Sequence, residues 1–547
     1  YEFSVFDVQI LGNIYEQFLG KTIRLTPAHQ VKVEEKPEVK KAGGVYYTPK
    51  YIVDYIVKNT VGEIIKKKTP KQLEKIKLLD PACGSGSFLL GAYQTLLDYH
   101  LNWYSKEAQK KKALKQRKII PIGKNSFQLT IAEKQRILTN NIFGVDIDRQ
   151  AVEVSKLSLL LKLLEGETEE STGRLFRYTQ LKLLPDLSNN IKCGNSLIGT
   201  DYFEGRITGT IDEEELRKIN PFDWQKEFPE VFANGGFDAV IGNPPYVRPH
   251  HIENLWKEYF WKRYNVFKAK SDEYACFIQK GIELLKQNGL FSFIVSGTWL
   301  SLESFANLRN YILDKCLIKQ LSKPIKKVFQ KATVETMVFV FEKHLREKKR
   351  KKNKIQIIDR MDNRFRAYGQ ICQLNFYSTH LNTFDLSMGG KEIKLSSNTL
   401  NKTMSLKDCI TFFYGLKTAD DKKFLSFDVT TSYHKKLLRR SDFSRYFVNY
   451  KGEYVWYVPD KMRHNKSTAR PGEPYRFENP KIIILDIAKR LVATYDDENY
   501  YIKDALILHQ KENGLSLKYI LSLINSKLLN YIYTKTFLTL SVAKNAF

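Results

Sequence analysis

Apolar residues recur along this chain with two periods, and the way they alternate changes partway along. At the start, Ile10, Leu11, Ile14, Tyr15, Phe18 and Leu19 recur at helical spacing, and Gly20 reads as the residue that ends the helix. A Lys/Glu/Pro stretch follows, so residues 1–40 are expected to form a helical connector and linker. From about 41 to 345, short apolar runs alternate with amphipathic stretches. Residues 77–79, 142–145, 237–241, 290–295 and 337–341 read as strands, and 51–66, 88–100, 149–164 and 274–287 as helices. Strand–helix alternation predicts an α/β domain with a doubly wound, mostly parallel sheet. Residues 342–354 are almost all charged and read as a solvated loop or linker, with phosphate contact as the second reading. After about 395 the alternation stops. Short mixed strands, turns and many Tyr, Lys and Arg residues follow, ending in a helical run over 515–533. The expected division is therefore an α/β domain over 41–395 and a separate α+β domain over 396–547.

Composition narrows the class. Hydrophobic residues make up 43% of the 547, enough for real cores, which excludes a disordered chain. No apolar run approaches the roughly 18 residues that cross a bilayer; the best, 289–300, reads as a buried strand. Lys and Arg number 88 against 60 Asp and Glu, a net charge of +28. An excess of that size points to a polyanionic partner, nucleic acid first. Six cysteines without a C-x-x-C pair or matching histidine spacing exclude a disulfide scaffold and a zinc site. They fit a reducing cytoplasm, and the chain opens without a signal-peptide pattern. Both ends read as cut from a longer polypeptide.

Three segments carry chemistry. Asp80-Pro81-Ala82-Cys83-Gly84-Ser85-Gly86-Ser87-Phe88 stands between an apolar strand and an amphipathic helix. Gly84 and Gly86 permit close approach of a ligand, and the helix start offers free N–H groups. The spacing departs from G-x-G-x-x-G, and Asp80 would repel a pyrophosphate. It suits a cation instead, such as the amino group and sulfonium of S-adenosylmethionine; the plainer alternative is a tight structural turn. The second segment, Phe143-Gly144-Val145-Asp146-Ile147-Asp148, places an acid at a strand end, where ribose hydroxyls are held. It comes much later than the usual ~20 residues after the glycines. A Lys-rich insertion over 105–134 accounts for the excess. Asp148 reads as the N-cap of the next helix.

The third segment is an apolar strand running into Asn243-Pro244-Pro245-Tyr246. Asn and Pro are common in turns, but a turn does not need the aromatic. Together they suit methylation of an exocyclic amine on a planar ring, whose delocalised lone pair is a poor nucleophile. The Asn243 side-chain oxygen and the Pro244 carbonyl would each accept one N–H, favouring a tetrahedral nitrogen. Pro244 and Pro245 fix the backbone in advance. Tyr246 would stack on the ring, worth about 1–3 kcal/mol. Positioning and preorganised dipoles supply the rate, and neither a strong base nor a metal is required.

With these residues in order, the chain resembles the gamma-class N6-adenine DNA methyltransferases, in particular those of fused type IIG restriction–modification enzymes. The matching set continues through Gly43-Gly44-Val45-Tyr46-Tyr47-Thr48-Pro49, Cys193-Gly194-Asn195-Ser196-Leu197 and Val328-Phe329-Gln330-Lys331-Ala332-Thr333-Val334-Glu335-Thr336. The resemblance implies S-adenosylmethionine as cofactor, bound by Tyr47, Thr48, Pro49, Asp80, Ala82, Gly84, Gly86, Asp146, Ile147, Asn195 and Pro245. Thr48 and Pro49 close over the methionine end, Asp146 holds the ribose, and Asn195 and Pro245 border the adenine. Asn195 stands where some relatives carry Asp, and its oxygen can still accept from the adenine amine. Phe329 matches an aromatic that contacts the target base; otherwise it is a core residue.

The segment after 395 resembles the target-recognition domain of the same enzymes, through Gly415-Leu416-Lys417-Thr418, 435–446, Asn479-Pro480-Lys481-Ile482 and 523–528. Tyr414, Lys417, Arg439, Arg440, Arg445, Lys489 and Arg490 are its expected DNA contacts. The implied reaction takes place on double-stranded DNA held in a basic cleft, with the adenine flipped into the pocket. The first 20 residues resemble the connector to an upstream nuclease. No convincing PD…(D/E)-x-K core stands within 1–547, so cleavage is left to a fused or associated nuclease. Three rivals stand beside this reading. One is a recognition module with a silent cofactor pocket serving a nuclease. The others are a protein-glutamine N5 methyltransferase and an RNA guanine-amine methyltransferase.

Overall fold

The computed structural model describes residues 21–25, 30–35, 48–123, 126–167, 184–204, 213–268, 270–326, 328–329, 335–386, 404–486, 488, 490–512 and 514–534. The predicted helix over 10–20 and the residues Gly43–Tyr47 lie outside them. The chain divides into two compact units, Tyr1–Leu386 and Ser387–Phe547. The expected boundary at 395 falls among residues that are not described.

The first unit is built on a nine-stranded sheet. Its strands are β1 (Leu78–Asp80), β2 (Ile142–Asp146), β3 (Ile191–Cys193), β4 (Phe237–Gly242), β5 (Leu285–Ser296), β6 (Cys316–Ser322), β7 (Thr336–Lys343), β8 (Lys354–Met361) and β9 (Arg364–Cys372). The order is β9-β8-β6-β7-β5-β4-β1-β2-β3. Strands β3, β2, β1, β4 and β5 pair in parallel, and β7 runs antiparallel between β5 and β6. The central strands read as continuous apolar runs because helices cover both faces of a parallel sheet. Phe237, Ala239, Val240 and Ile241 on β4 are fully buried, as are Phe291, Phe293, Ile294 and Val295 on β5. The principal helices are α1 (Lys50–Asn59), α2 (Ser87–Tyr104), α3 (Arg149–Leu164) and α4 (Tyr274–Leu284). From β1 the chain runs outward in both directions, which makes the carboxyl ends of β1 and β4 a topological switch point where α/β folds hold ligands.

The charged run at 342–354 is not a linker. Its ends belong to β7 and β8, and Glu347–Lys351 form a short helix. Arg350 is buried and donates from Nε to the Leu313 carbonyl (2.9 Å) and from Nη1 to the His344 carbonyl (2.8 Å). One guanidinium satisfying two carbonyls that water cannot reach turns a polar run into a structural joint.

The second unit holds β10 (Ile410–Tyr414), β11 (Leu425–Ser426), β12 (His434–Leu438), β13 (Phe443–Ser444), β14 (Phe447–Val448), β15 (Tyr454–Trp456), β16 (Lys481–Ile484), β17 (Ala493–Asp496), β18 (Tyr501–Ile502) and β19 (Leu506–Gln510). They form two four-stranded sheets, β10-β19-β16-β17 and β11-β15-β12-β18, and the hairpin β13-β14. Lys481 and Asp496 pair with each other, both without exposed side-chain surface. The helical run predicted over 515–533 is two helices, Leu517–Ile524 and Lys527–Tyr533. Ser526 divides them, its hydroxyl accepting from Leu529 N (3.1 Å) as an N-cap.

Candidate active site at the switch point

The loop after β1 is held from three sides. Gly84 (φ +52°) and Gly86 (φ +89°) turn it left-handed into α2. Asp146 Oδ2 accepts from Gly84 N (2.8 Å), Ser155 Oγ donates to the Gly84 carbonyl (2.7 Å), and Ser196 Oγ donates to the Pro81 carbonyl (2.5 Å). A Cβ on Gly86 would stand 2.9 Å from Ser155 Oγ, so α3 packs too close for a side chain there. Ser196 stands within the motif at 193–197 but without a role assigned to it, and Ser155 stands outside every motif. Ser155 lies within a helix pattern, and its only signal is a small polar residue on a face that must pass a glycine loop.

The two acids differ. Asp80 is almost fully buried, with Oδ1 accepting from Ala82 N (3.0 Å). Burial pushes its carboxyl well above the usual range, and nearby Asp146 pushes the same way. A Cβ on Gly242 would stand 2.6 Å from Asp80 Oδ1, so β4 presses its backbone against this acid. Asp146 keeps some exposed surface, but the protein packed around its carboxyl pushes it up to about 6, against the pull of its backbone donors. Its Oδ1 accepts from Asp148 N (2.9 Å). Backbone N–H groups of Gly84, Ile147 and Asp148 reach this carboxylate, whose roughly four lone-pair sites still leave an acceptor position for a diol hydroxyl. Ile147 beside it is 47% exposed, an apolar surface on an otherwise polar rim. Asp148 caps α3, accepting from Gln150 N (2.8 Å), as expected.

Asn195 sits differently from its expected role. Its Oδ1 already accepts from Leu197 N (3.0 Å) and Ile198 N (3.2 Å), which fixes the amide's orientation. The group left to face a ligand is the amide N–H2, a donor, rather than the oxygen expected to accept from an adenine amine.

Asn243 follows β4 and reaches across the chain to the segment before α1. Its Nδ2 donates to Thr48 Oγ1 (3.1 Å), and Thr48 is buried. Asn243 Oδ1 is buried and has no hydrogen-bond partner among the described residues. Pro244 is buried and Pro245 exposed. Pro49 occupies the N-cap position of α1, its carbonyl accepting from Ile52 N (2.9 Å). Tyr246 is tethered through its hydroxyl to the Ile294 carbonyl on β5 (3.0 Å), and its ring meets Tyr274 edge-on at 6.1 Å. Tyr274 is itself fixed by stacking on Phe305 (5.5 Å) and by a hydroxyl contact with Thr298 Oγ1 (3.1 Å). Phe329 is buried in the core cluster that the Tyr246 ring packs against. Tyr47 lies outside the described residues.

In the second unit the expected contacts fall into two groups. Arg439 is forked onto Glu453, from Nε to Oε2 and from Nη2 to Oε1, both at 2.5 Å. Arg445 donates to the Leu491 carbonyl (3.2 Å). Lys417, Arg440 and Arg490 are exposed, and Tyr414 is 67% exposed. Lys489 lies outside the described residues.

Three family models match this chain. The N-6 DNA methylase model covers residues 7–176, the Eco57I restriction-modification methylase model 140–329, and the TaqI-like C-terminal specificity domain model 435–544. Matched in succession along the chain, these models make it similar to the N6-adenine DNA methyltransferases of restriction–modification systems. Among curated proteins, it is 33% identical over 347 residues to the type II restriction enzyme and methyltransferase RM.Eco57I of Escherichia coli, covering 63% of this chain and 32% of the relative. It is 24% identical over 397 residues to the adenine-specific methyltransferase BrxX of Escherichia coli O9:H4, covering 56% and 30%. The chain spans about a third of the length of these relatives. Its fold is shared with the type IIL restriction-modification enzyme MmeI, solved in complex with DNA. That match has a TM-score of 0.51 and 14% identity over 88% of this chain and 62% of that one. A nuclease-deletion mutant of the type ISP enzyme LlaGI matches with a TM-score of 0.52 and 13% identity over 90% and 44%. Among the described residues, no helix is long and apolar enough to cross a membrane.

Proposed function

We propose that this chain methylates adenine N6 at specific sites in duplex DNA, with the base flipped out of the stack. The observation that carries the reading is the buried Asn243 Oδ1, which has no donor among the described residues and belongs to the residue just before Pro244. A buried acceptor left unpaired is costly unless a ligand brings the donor. An exocyclic amine brings two. Thr48 holds the Asn243 amide so that its oxygen, not its N–H2, is the free end. Tyr246, tethered at its hydroxyl, offers a ring whose position is set before the base arrives. Phe329 is kept as the second aromatic at the base.

The residues at the switch point fit S-adenosylmethionine. The left-handed glycines shape the loop into the start of α2, Asp146 offers a free acceptor position to ribose hydroxyls, and Ile147 offers an apolar surface to the adenine. Thr48, Pro49, Asp80, Ala82, Asn195 and Pro245 complete the proposed binding set. When bound, S-adenosylmethionine supplies an electrophilic methyl group on its sulfonium. A cation beside Asp80 would draw that buried carboxyl back toward ionisation. Asn195 would donate to a ring nitrogen of the adenine rather than accept from its amine.

The chain's +28 charge and the exposed Lys417, Arg440 and Arg490 support duplex DNA as substrate. RM.Eco57I is named as both restriction enzyme and methyltransferase; the residues here account for the methyltransferase part, and cleavage is assigned to a fused or associated nuclease. Domain limits of 41–395 for catalysis and 396–547 for recognition belong to the same proposal. The test is incubation with methyl-labelled S-adenosylmethionine and mixed plasmid and genomic DNA, followed by mapping of the label. Label on adenine N6 in one sequence context is expected. Cofactor retained without label would move the assignment to a recognition module with a silent pocket.

A further inference from the structure

The hairpin β13-β14 carries a feature that the arginines around it do not explain. Its inner face is anchored: Phe443 is buried in the core of the second unit, and Val448, paired with it, packs against the same cluster. Ser444 pairs with Phe447 on the opposite, outer face. Arg445 and Tyr446 form the two-residue turn between them. Tyr446 has φ +63°, while Arg445 is not among the residues with positive φ. That sign pattern puts Tyr446 where a type II turn calls for glycine or asparagine. The conformation is held by Tyr446 N donating to the Ala493 carbonyl on β17 (3.1 Å) and by Arg445 Nε donating to the Leu491 carbonyl (3.2 Å). The braced tip presents two adjacent aromatics to solvent, Tyr446 at 58% and Phe447 at 61% exposure.

Charge selects the partner. Arg440 and Arg490 are exposed and carry no ion pair or hydrogen bond among the described residues. Arg490 adjoins Leu491, whose carbonyl braces the turn. The neighbouring acids are already matched, Asp442 by Lys451 (3.0 Å) and Glu453 by Arg439. Two exposed arginines, one just before the hairpin in the chain and one next to the residue that braces its turn, thus accompany a pair of exposed rings, the combination that binds nucleic-acid bases and their phosphates. A strained backbone kept under two exposed rings is a reason to look for a ligand. We propose that Tyr446 and Phe447 form a base-contacting wedge, stacking on DNA bases while Arg440 and Arg490 neutralise flanking phosphates. The proposal rests on the DNA-methyltransferase reading and adds to it a specific contact.

Tyr446→Gly separates contact from fold, because glycine adopts φ +63° without penalty. Its melting temperature should equal or exceed that of the wild type. Its affinity for plasmid-derived duplex fragments and its methyl transfer to plasmid DNA should fall about 10-fold, and Phe447→Ala should act in the same direction. The salt dependence of binding should be unchanged in Tyr446→Gly, since stacking releases no counterions, whereas Arg440→Ala should lower the log–log salt slope by about 1. Wild-type methylation of DNA together with unaltered binding and transfer by the Tyr446→Gly/Phe447→Ala double variant would overturn the wedge alone. A wild type that neither binds nor methylates DNA would overturn the function on which it rests. Loss of affinity for a protein partner with DNA affinity intact would reassign the rings to a protein contact.

Discussion

The two units prepare their ligands' contacts in opposite ways. At the switch point, Asp146, Ser155, Ser196 and Asn195 each hydrogen-bond backbone groups distant in sequence or in the next turn, and Asn243 is held by Thr48. In the second unit, Lys417, Arg440, Arg490, Tyr446 and Phe447 stand exposed on anchored backbone. The first arrangement fixes a few atoms to within the tolerance that chemistry needs. The second leaves long side chains to adapt to a grooved polyanion, where many contacts of modest energy sum. A change in the first unit should therefore act on rate or stability, and a change in the second on affinity.

The largest effect expected is from Asn243→Ala. By analogy with removing one preorganised polar group from an active site, methyl transfer should fall by about 100-fold to 1,000-fold. Cofactor binding, measured by equilibrium dialysis, should persist. Near-normal turnover would remove Asn243 from the chemistry. Next is Gly86→Ala, which forces a side chain into φ +89° and against Ser155. It should cost about 1–3 kcal/mol of stability, read by denaturant unfolding, and weaken cofactor binding as well.

A sharper comparison lies between neighbours in the second unit. Arg439→Ala leaves the buried Glu453 without its fork and should destabilise by on the order of 1 kcal/mol, a modest figure because Arg439 is well exposed. Arg440→Ala should leave the melting temperature unchanged and weaken DNA binding at low salt. Equal behaviour of the pair would break the distinction between structural and contacting cations.

The smallest effect is a slope. Folding raises the Asp146 carboxyl to about 6 from 3.8, so between those values the folded state binds more protons than the unfolded one. Stability contributed by this group falls as pH rises through that window, and the loss is complete above about 6. Asp146→Asn should flatten the decline in melting temperature between about pH 4 and pH 6. Asp80, raised in the same direction, remains in the variant and sets the residual slope.

Much of this was legible in the sequence, for identifiable reasons. The strands β1, β2, β4, β5 and β7 are apolar runs in a sheet buried on both faces, and β1, β2 and β4 each carry a motif at the carboxyl end. Strand β3 has three residues, too few for any period to register, and β9 exposes most of its length as an edge. The charged run at 342–354 misled because charge density says nothing of one buried member, Arg350. At the site, Asn243 and Asp146 announce themselves in short motifs. Their pairing does not: Thr48 stands in a motif of its own but 195 positions from Asn243, and Ser155, outside any motif, 71 from Gly84. The direction of the Asn195 amide is also invisible in one dimension, since it depends on which backbone N–H groups the turn delivers to its oxygen.

The unpaired Asn243 oxygen bears on what happens after the reaction as well as before it. Under the proposed function, an unmodified amine offers a hydrogen to each of two acceptors, Asn243 Oδ1 and the Pro244 carbonyl. The methylated amine has one hydrogen left for the same two. One acceptor then goes without, at a cost of about 1–3 kcal/mol where that acceptor is buried, as Asn243 Oδ1 is. The pocket would thus hold its product less tightly than its substrate, and would turn away bases that already carry the mark. Turnover and sparing of finished sites would both follow from one oxygen that the described residues leave unpaired.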